Sequence, residues 1–186
     1  MTAITQTKQI NWWRVARWSA AAVLLCVPAI AMRFTSEVDW TASDFVVMGM
    51  LFASILGAYD FLASRAPSFA YRAASVLTTL GLFLLIWINL AVGVIGSENN
   101  DANLMFAAVI AIIVGGACIA RFKPAGMGRA LLTAAAVQLV VGVIAVAGDL
   151  GADGPIWPRD VIVLTAFFAG LWVTAGTLFR MATRDA

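Results

Sequence analysis

The chain has 186 residues, of which 62% are hydrophobic and only 12% charged, and its mean hydropathy is +0.93. A soluble domain has about 45–50% apolar and about 25% charged residues, so this composition argues against a water-soluble fold. The net charge is +2, and the basic residues are not clustered in the way that a nucleic-acid partner requires. The sequence therefore predicts an integral membrane protein whose surroundings are a lipid bilayer, with no nucleic-acid partner.

Six apolar stretches alternate with short polar ones, and most are close to the roughly 20 residues that a helix needs to cross a bilayer. Backbone groups in lipid must be hydrogen-bonded within the segment, so each stretch is predicted to be a helix. The fold class is then an all-α bundle forming one transmembrane domain over residues 1–186. The predicted helices cover residues 15–33, 44–64, 72–96, 103–121, 129–148 and 160–180.

The first of these stretches permits two interpretations. It is short, contains Pro28 and could be a signal peptide that is cleaved after Ala31. A basic region rich in tryptophan precedes it and is typical of an anchor at the membrane interface. A retained helix is the favoured interpretation. The anchor residues are Lys8, Trp12, Trp13, Arg14, Arg17 and Trp18.

The distribution of basic residues predicts the orientation in the membrane. Ten of the twelve Lys and Arg residues fall on the side that carries both termini, and only Arg33 and Arg159 fall on the other. Loops rich in Lys and Arg face the cytoplasm. Both termini are therefore predicted to be cytoplasmic.

Charged residues at the starts of the helices recur at nearly equal intervals. This spacing is consistent with three tandem helical hairpins. Evenly spaced helices that obey the charge rule would produce the same pattern, so both interpretations stay open. The residues are Arg14, Arg72 and Arg129 for the odd helices, and Asp44, Asp101 and Asp160 for the even ones.

Asp60 is the first candidate functional residue, because an ionisable group inside a membrane segment is energetically costly. It could serve a proton-coupled carrier. Alternatively, it could form a structural ion pair with Arg65, Arg72 or Arg121 near the membrane surface.

Asn89 and Gln138 are the clearest polar residues at depth, and their predicted depths differ by about 5 Å. They could hydrogen-bond to each other as packing contacts, or they could line a substrate site. Trp87 and Trp172 also lie at mid-depth, where they could fill space or stack on a pigment, quinone or lipid. No cofactor is predicted, and haem is disfavoured because histidine, its usual ligand, is absent.

The polar segment 97–103 contains Glu98 and Asp101, whose oxygens are of the type that hard cations prefer. These two are the candidate metal ligands. The alternative is that Asp101 caps the fourth helix, as Asp44 and Asp160 would cap the second and sixth.

Small residues recur at four-residue spacing on several predicted helices. Such stripes allow another helix to approach closely, either within the bundle or from another membrane subunit. The stripes include Gly49, Ala53 and Gly57 on the second helix, and Ala166, Gly170 and Thr174 on the sixth.

Three segments carry a resemblance to a protein family: residues 87–100 (WINLAVGVIGSENN), 102–105 (ANLM) and 119–124 (IARFKP). With these segments, the chain from about residue 32 to 180 resembles small bacterial multi-pass membrane proteins of unknown function. The resemblance implies a bacterial inner membrane and assigns no site residues.

Two classes of function follow from these features. The first is a non-catalytic accessory, assembly or structural subunit that packs against other membrane subunits or forms a homo-oligomer. The second is a small ion- or proton-coupled transporter or channel that uses Asp60, Asn89 and Gln138. An enzyme is not expected, because no nucleophile and base at a plausible spacing can be named, and a serine or cysteine without histidine needs an unusual activator.

Overall fold

The computed structural model describes residues 11–152, 154 and 156–184, which contain helices and no strand. Six helical segments in this part are long and apolar enough to cross a membrane, the fourth counted from Asp101 to Ile119. This confirms the predicted all-α fold with six long helices. The helices are α1 (Trp12–Ala31), α2 (Ala42–Ser64), α3 (Phe69–Ala91), α4 (Phe106–Ile119, preceded by the 3-10 turn Asp101–Met105), α5 (Pro124–Ala147) and α6 (Arg159–Met181). Lys8 of the predicted anchor lies outside the described residues.

Local chemistry explains where the helices begin. Before α2, the amide of Thr41 donates to the Asp44 carboxylate over 2.7 Å, and the Asp44 amide donates weakly back to the Thr41 hydroxyl. This reciprocal pairing stabilises a helix start. Ser68 accepts a bond from the Tyr71 amide, and Pro124 occupies the first turn of α5. The predicted starts at residues 72 and 129 were therefore too late.

The end of α3 also differs from the prediction. The helix ends at Ala91 rather than near residue 96, because Gly93 adopts a φ of +75°; Gly96, further along the loop, has a φ of +71°. This left-handed conformation is accessible to glycine at little steric cost and cannot continue a right-handed helix. Val94 and Ile95 lie between the two glycines and are 1% and 0% exposed, so this apolar segment is a buried loop.

The chain consists of two compact units, residues 1–60 and 61–186. The first contains α1 and most of α2, and the second contains the end of α2 and all of α3 to α6. The prediction of a single transmembrane domain stays a prediction.

In the second unit, α6 packs between α3 and α5, and α5 also packs against α4. A Cβ placed on Gly128 would lie 3.0 Å from the Gly176 carbonyl oxygen, and one on Gly142 would lie 2.6 Å from the Thr165 hydroxyl. Later residues of α5 thus contact earlier residues of α6, so the two helices are antiparallel.

The main partner of α3 is α6 rather than α4, its neighbour in the sequence. A tandem hairpin would instead place α3 and α4 as a closely packed pair. The packing therefore does not reproduce the predicted hairpin unit at α3 and α4. Equal spacing along the chain is better explained here by helices of similar length.

The α3–α6 contact depends on a small residue opposite a large one. The Trp172 side chain is fully buried and stacks on Phe168 with ring centroids 6.2 Å apart. A Cβ on Gly81 would lie 2.7 Å from the Trp172 ring. Gly81 is therefore required for the indole to fit between the helices.

We expect Gly81→Ala to destabilise the protein by about 1–3 kcal/mol, because the buried indole cannot move away from the added methyl group. Gly115→Ala is the matched control, since nothing lies within 4 Å of a Cβ at this position of α4. Alanine favours a helix over glycine by about 1 kcal/mol, so the control should retain or gain stability. Thermal unfolding of the purified protein in detergent measures both. A melting temperature for Gly81→Ala at or above that of Gly115→Ala would contradict the packing argument.

Candidate functional site

Asp60 is bound by two arginines from one face of α1. The carboxylate is 2.8 Å from Arg14 Nε and 2.7 Å from Arg17 Nη2, and it accepts a 3.1 Å bond from Trp18 Nε1. Residues three and four positions apart share one side of a helix, which is why these three side chains converge on a single carboxylate. The α1–α2 pair is thus joined at one end by charge.

The two ion pairs differ in their surroundings. The side chains of Asp60 and Arg17 are 16% and 33% exposed, whereas that of Arg14 is 62% exposed. The Arg17 guanidinium also lies 4.8 Å from the centre of the Tyr59 ring, a distance at which a cation is attracted to an aromatic face. Arg17 is therefore the more strongly held partner of Asp60.

The partners of Asp60 correct one expectation. The sequence predicted a structural pair with Arg65, Arg72 or Arg121, but the carboxylate contacts Arg14 and Arg17 instead. The sequence pattern predicts these two arginines to be part of an interfacial anchor. The available signal was that Arg14, Arg17 and Asp60 are predicted at the same membrane surface, but several arginines share that property.

Gln138 and Asn89 are in the second unit and do not form the hydrogen bond that their depths suggested. Gln138 is fully buried, and neither its amide oxygen nor its amide nitrogen has a partner among the described residues. The Asn89 nitrogen donates to the Leu85 carbonyl over 2.7 Å, and the Asn89 oxygen is buried without a partner in the same part of the chain. The core of the second unit thus contains amide oxygen and nitrogen atoms that have no hydrogen-bond partner among the described residues.

The candidate metal ligands Glu98 and Asp101 are not assembled into a ligand cluster. Among the described residues, no three His, Cys, Asp or Glu side chains converge. The Glu98 carboxylate accepts a 2.9 Å bond from Asn99, and Asp101 is the first residue of the 3-10 turn. The side chain that caps this turn is that of Asn100, which accepts from the Ala102 amide, rather than that of Asp101 as predicted.

Asn103 organises the loop after α3, a role that the sequence did not reveal. Its oxygen accepts 2.9 Å bonds from the amides of both Val94 and Ile95, and its nitrogen donates to the carbonyls of Ile95 and Ser97. One side chain thus satisfies four backbone groups of a buried loop, which has no helix to supply partners. Loop polarity alone gave no sign of this role.

We expect Asn103→Leu to accelerate amide exchange at Val94 and Ile95 by roughly 5- to 150-fold, as each loses a bond worth about 1–3 kcal/mol when buried. Asn103→Asp is the control, because its oxygen can still accept from both amides. Hydrogen–deuterium exchange with peptide-level mass spectrometry gives the rates. Equal amide exchange rates at Val94 and Ile95 in the two variants would show that hydrogen bonds to the Asn103 oxygen do not stabilise the loop.

A groove of about 430 Å³ lies between α5 and α6. Its walls are almost entirely apolar, and Thr165 is the one hydroxyl-bearing residue among the described residues that line it. The lining residues are Leu139, Gly142, Val143, Val146, Ala147, Ile162, Thr165 and Ala166. These residues provide shape and apolar contact but no charged group for chemistry.

No family model, no curated protein and no solved structure matches the chain. The resemblance to small bacterial membrane proteins therefore stays a prediction.

The pairing around Asp60 generates a prediction about stability. In a double-mutant cycle, Asp60→Asn and Arg17→Gln should each destabilise the protein and show a coupling energy of about 1–3 kcal/mol, because Arg17 loses its carboxylate and Asp60 loses its less exposed arginine. The more exposed pair with Arg14 should couple by less than about 1 kcal/mol. Thermal unfolding of single and double variants gives both energies. Additive effects at Arg17 would rule out a structural ion pair.

Proposed function

We propose that the chain is a non-catalytic accessory subunit of a membrane complex, and that it binds a transmembrane helix of another subunit through α6. We further propose that its six long helices span a bacterial inner membrane with both termini in the cytoplasm. The length and composition of the helices support the first part of this topology, and the excess of Lys and Arg on one side supports the second.

The observation that carries the proposal is the exposed side of α6. Nothing lies within 4 Å of a Cβ placed on Gly170, and Ala166 and Thr174, one turn to either side, are exposed. The opposite side of α6 contributes Phe168 and Trp172 to the core. The small-residue stripe is therefore not used for packing inside the second unit, which leaves it available to a partner helix.

The groove between α5 and α6 continues this surface, because Ala166 belongs to both. A stripe of small residues lets two helix backbones approach, and an adjoining groove can receive the larger side chains of the incoming helix. The apolar groove walls match the side chains of a membrane helix better than those of a polar peptide. This combination favours a helical partner.

The transport alternative has support of a different kind. Gln138 and Asn89 have buried polar atoms without a partner among the described residues, as a substrate site would. Asp60, however, is neutralised by two arginines and bonded to Trp18, which supports a structural role for this carboxylate. A carrier that depends on protonation of Asp60 would first have to break these contacts. The accessory role is therefore the stronger proposal.

Gly170→Leu should abolish binding of the partner while leaving the fold intact, because a Cβ at this position meets no other part of the chain. Gly115→Leu makes the same substitution at an equally open position on α4 and should retain the partner. Native mass spectrometry of complexes extracted gently from the membrane gives the mass and stoichiometry of bound chains.

A photoreactive residue at Val173, which is 44% exposed beside the stripe, should crosslink to the same partner chain in the wild-type background. A crosslink to a second copy of this chain would replace the proposal with self-association. A solitary chain, or equal loss of the partner in the two leucine variants, would contradict it.

A further inference from the structure

The core of the second unit contains several polar atoms that have no hydrogen-bond partner in the described part of the chain. The most deeply buried belong to Gln138 and Trp172, which are both 0% exposed. A buried polar group without a partner is costly, and native proteins contain few of them. The unpaired atoms are Oε1 and Nε2 of Gln138, Nε1 of Trp172, Oγ1 of Thr165 and Oδ1 of Asn89.

The packing of α5 on α6 brings Gln138 and Thr165 to one interface. A Cβ on Gly142 would lie 2.6 Å from the Thr165 hydroxyl oxygen, so these two positions are in direct contact. Gln138 precedes Gly142 by four residues and therefore lies one turn along the same face of α5. Because the helices are antiparallel, the level of Gln138 falls between those of Thr165 and Trp172 on α6.

The α3–α6 contact adds Asn89 to the same region. Trp172 meets Gly81, and from this contact Asn89 lies about 12 Å along α3 while Thr165 lies about 10.5 Å along α6. Tyr71 packs on Phe179 with ring centroids 4.9 Å apart, so α3 and α6 are antiparallel and Asn89 and Thr165 are at nearly the same level. Along the helix axes, the polar atoms of α3, α5 and α6 that have no partner among the described residues thus fall within about two turns.

The hydrogen-bond donors and acceptors of this layer determine which kind of ligand it can bind. The Gln138 amide and the Trp172 indole supply N–H donors, the Gln138 and Asn89 oxygens supply acceptors, and the Thr165 hydroxyl does both. None of these four side chains is charged. A matching ligand is therefore neutral, small enough to fit between packed helices, and able both to donate and to accept hydrogen bonds.

We propose that Gln138, Thr165, Trp172 and Asn89 form an internal hydration site, in which buried water bridges α3, α5 and α6. Buried waters typically make about three hydrogen bonds to groups that would otherwise be unpaired, and this cluster supplies donors and acceptors for such bonds. The site makes Gln138 the polar centre of the second unit. The proposed water site shares Thr165 with the groove between α5 and α6 and differs from that groove in Gln138, Trp172 and Asn89.

The first experiment detects the water directly. Glutamine occurs at positions 6, 9 and 138 only, so a Gln6→Ser, Gln9→Ser background leaves one side-chain amide to label with ¹⁵N. In nanodiscs, this amide should show a direct dipolar cross-peak to water, which rotating-frame spectra separate from chemical exchange. The backbone amide of Ala134, a fully buried helical position, is the control and should show none. Absence of a water cross-peak at Gln138 would overturn the proposal.

The second experiment uses the sign of a stability change. If water bridges the cluster, Gln138→Met should lower the melting temperature by about 2–6 °C, because it removes bonds to the water and leaves the other groups unpaired. If the cluster is dry, the same change removes an unpaired amide and should raise the melting temperature. Leu131→Met is the control for the methionine side chain, at another buried position of α5.

If Gln138→Met does not fold, the melting temperature of Thr165→Val provides a second test, because valine has nearly the same shape as threonine. Thr165→Val should also lower the melting temperature when the site is hydrated. A rise in either variant relative to the wild type would overturn the proposal, and a fall in both, with a water cross-peak, would support it.

Discussion

Helix α6 approaches α5 so closely that glycines are required at both ends of their contact. Gly128 faces Gly176 at one end, and Gly142 faces Thr165 at the other. In the proposed bilayer, apolar side chains gain little by leaving lipid for one another, so helices associate through van der Waals contact and hydrogen bonds. The absence of side chains at these positions provides that contact. The direction of α6, and with it the position of Trp172 against α3, depends on this approach.

Because one face of α6 meets both α3 and α5, its other face is left exposed. The buried face carries large residues such as Phe168 and Trp172, whereas the exposed face carries Ala166, Gly170 and Thr174. A helix with two packing surfaces can hold its own bundle together and also bind a neighbouring helix. This division of roles is the physical basis of the accessory-subunit proposal.

The two units differ in the charge of their buried polar side chains and in the partners of these side chains. In the first, the charge of Asp60 on α2 is compensated by Arg14 and Arg17 of α1. In the second, the uncharged side chains of the proposed water site have donors and acceptors without partners among the described residues. The ion pairs thus explain the buried carboxylate of Asp60, whereas the neutral side chains around Gln138 are the basis for proposing bound water. The sequence alone had ranked Asp60 first as a functional candidate, because the cost of a buried charge is visible in composition and its compensation is not.

The sequence by itself determined the class of fold, the number of long helices and most of their extents, because runs of apolar residues separated by polar ones have few other solutions. The predicted end of α3 was wrong. Val94 and Ile95 are apolar and fit a helix by composition, but Gly93 and Gly96 adopt positive φ values and turn the chain. Only the tertiary structure decided which arginines meet Asp60, that α3 packs on α6, and that Asn103 supports a buried loop. These features depend on contacts between residues far apart in the chain or on the geometry of single side chains, and helical periodicity carries no information about either.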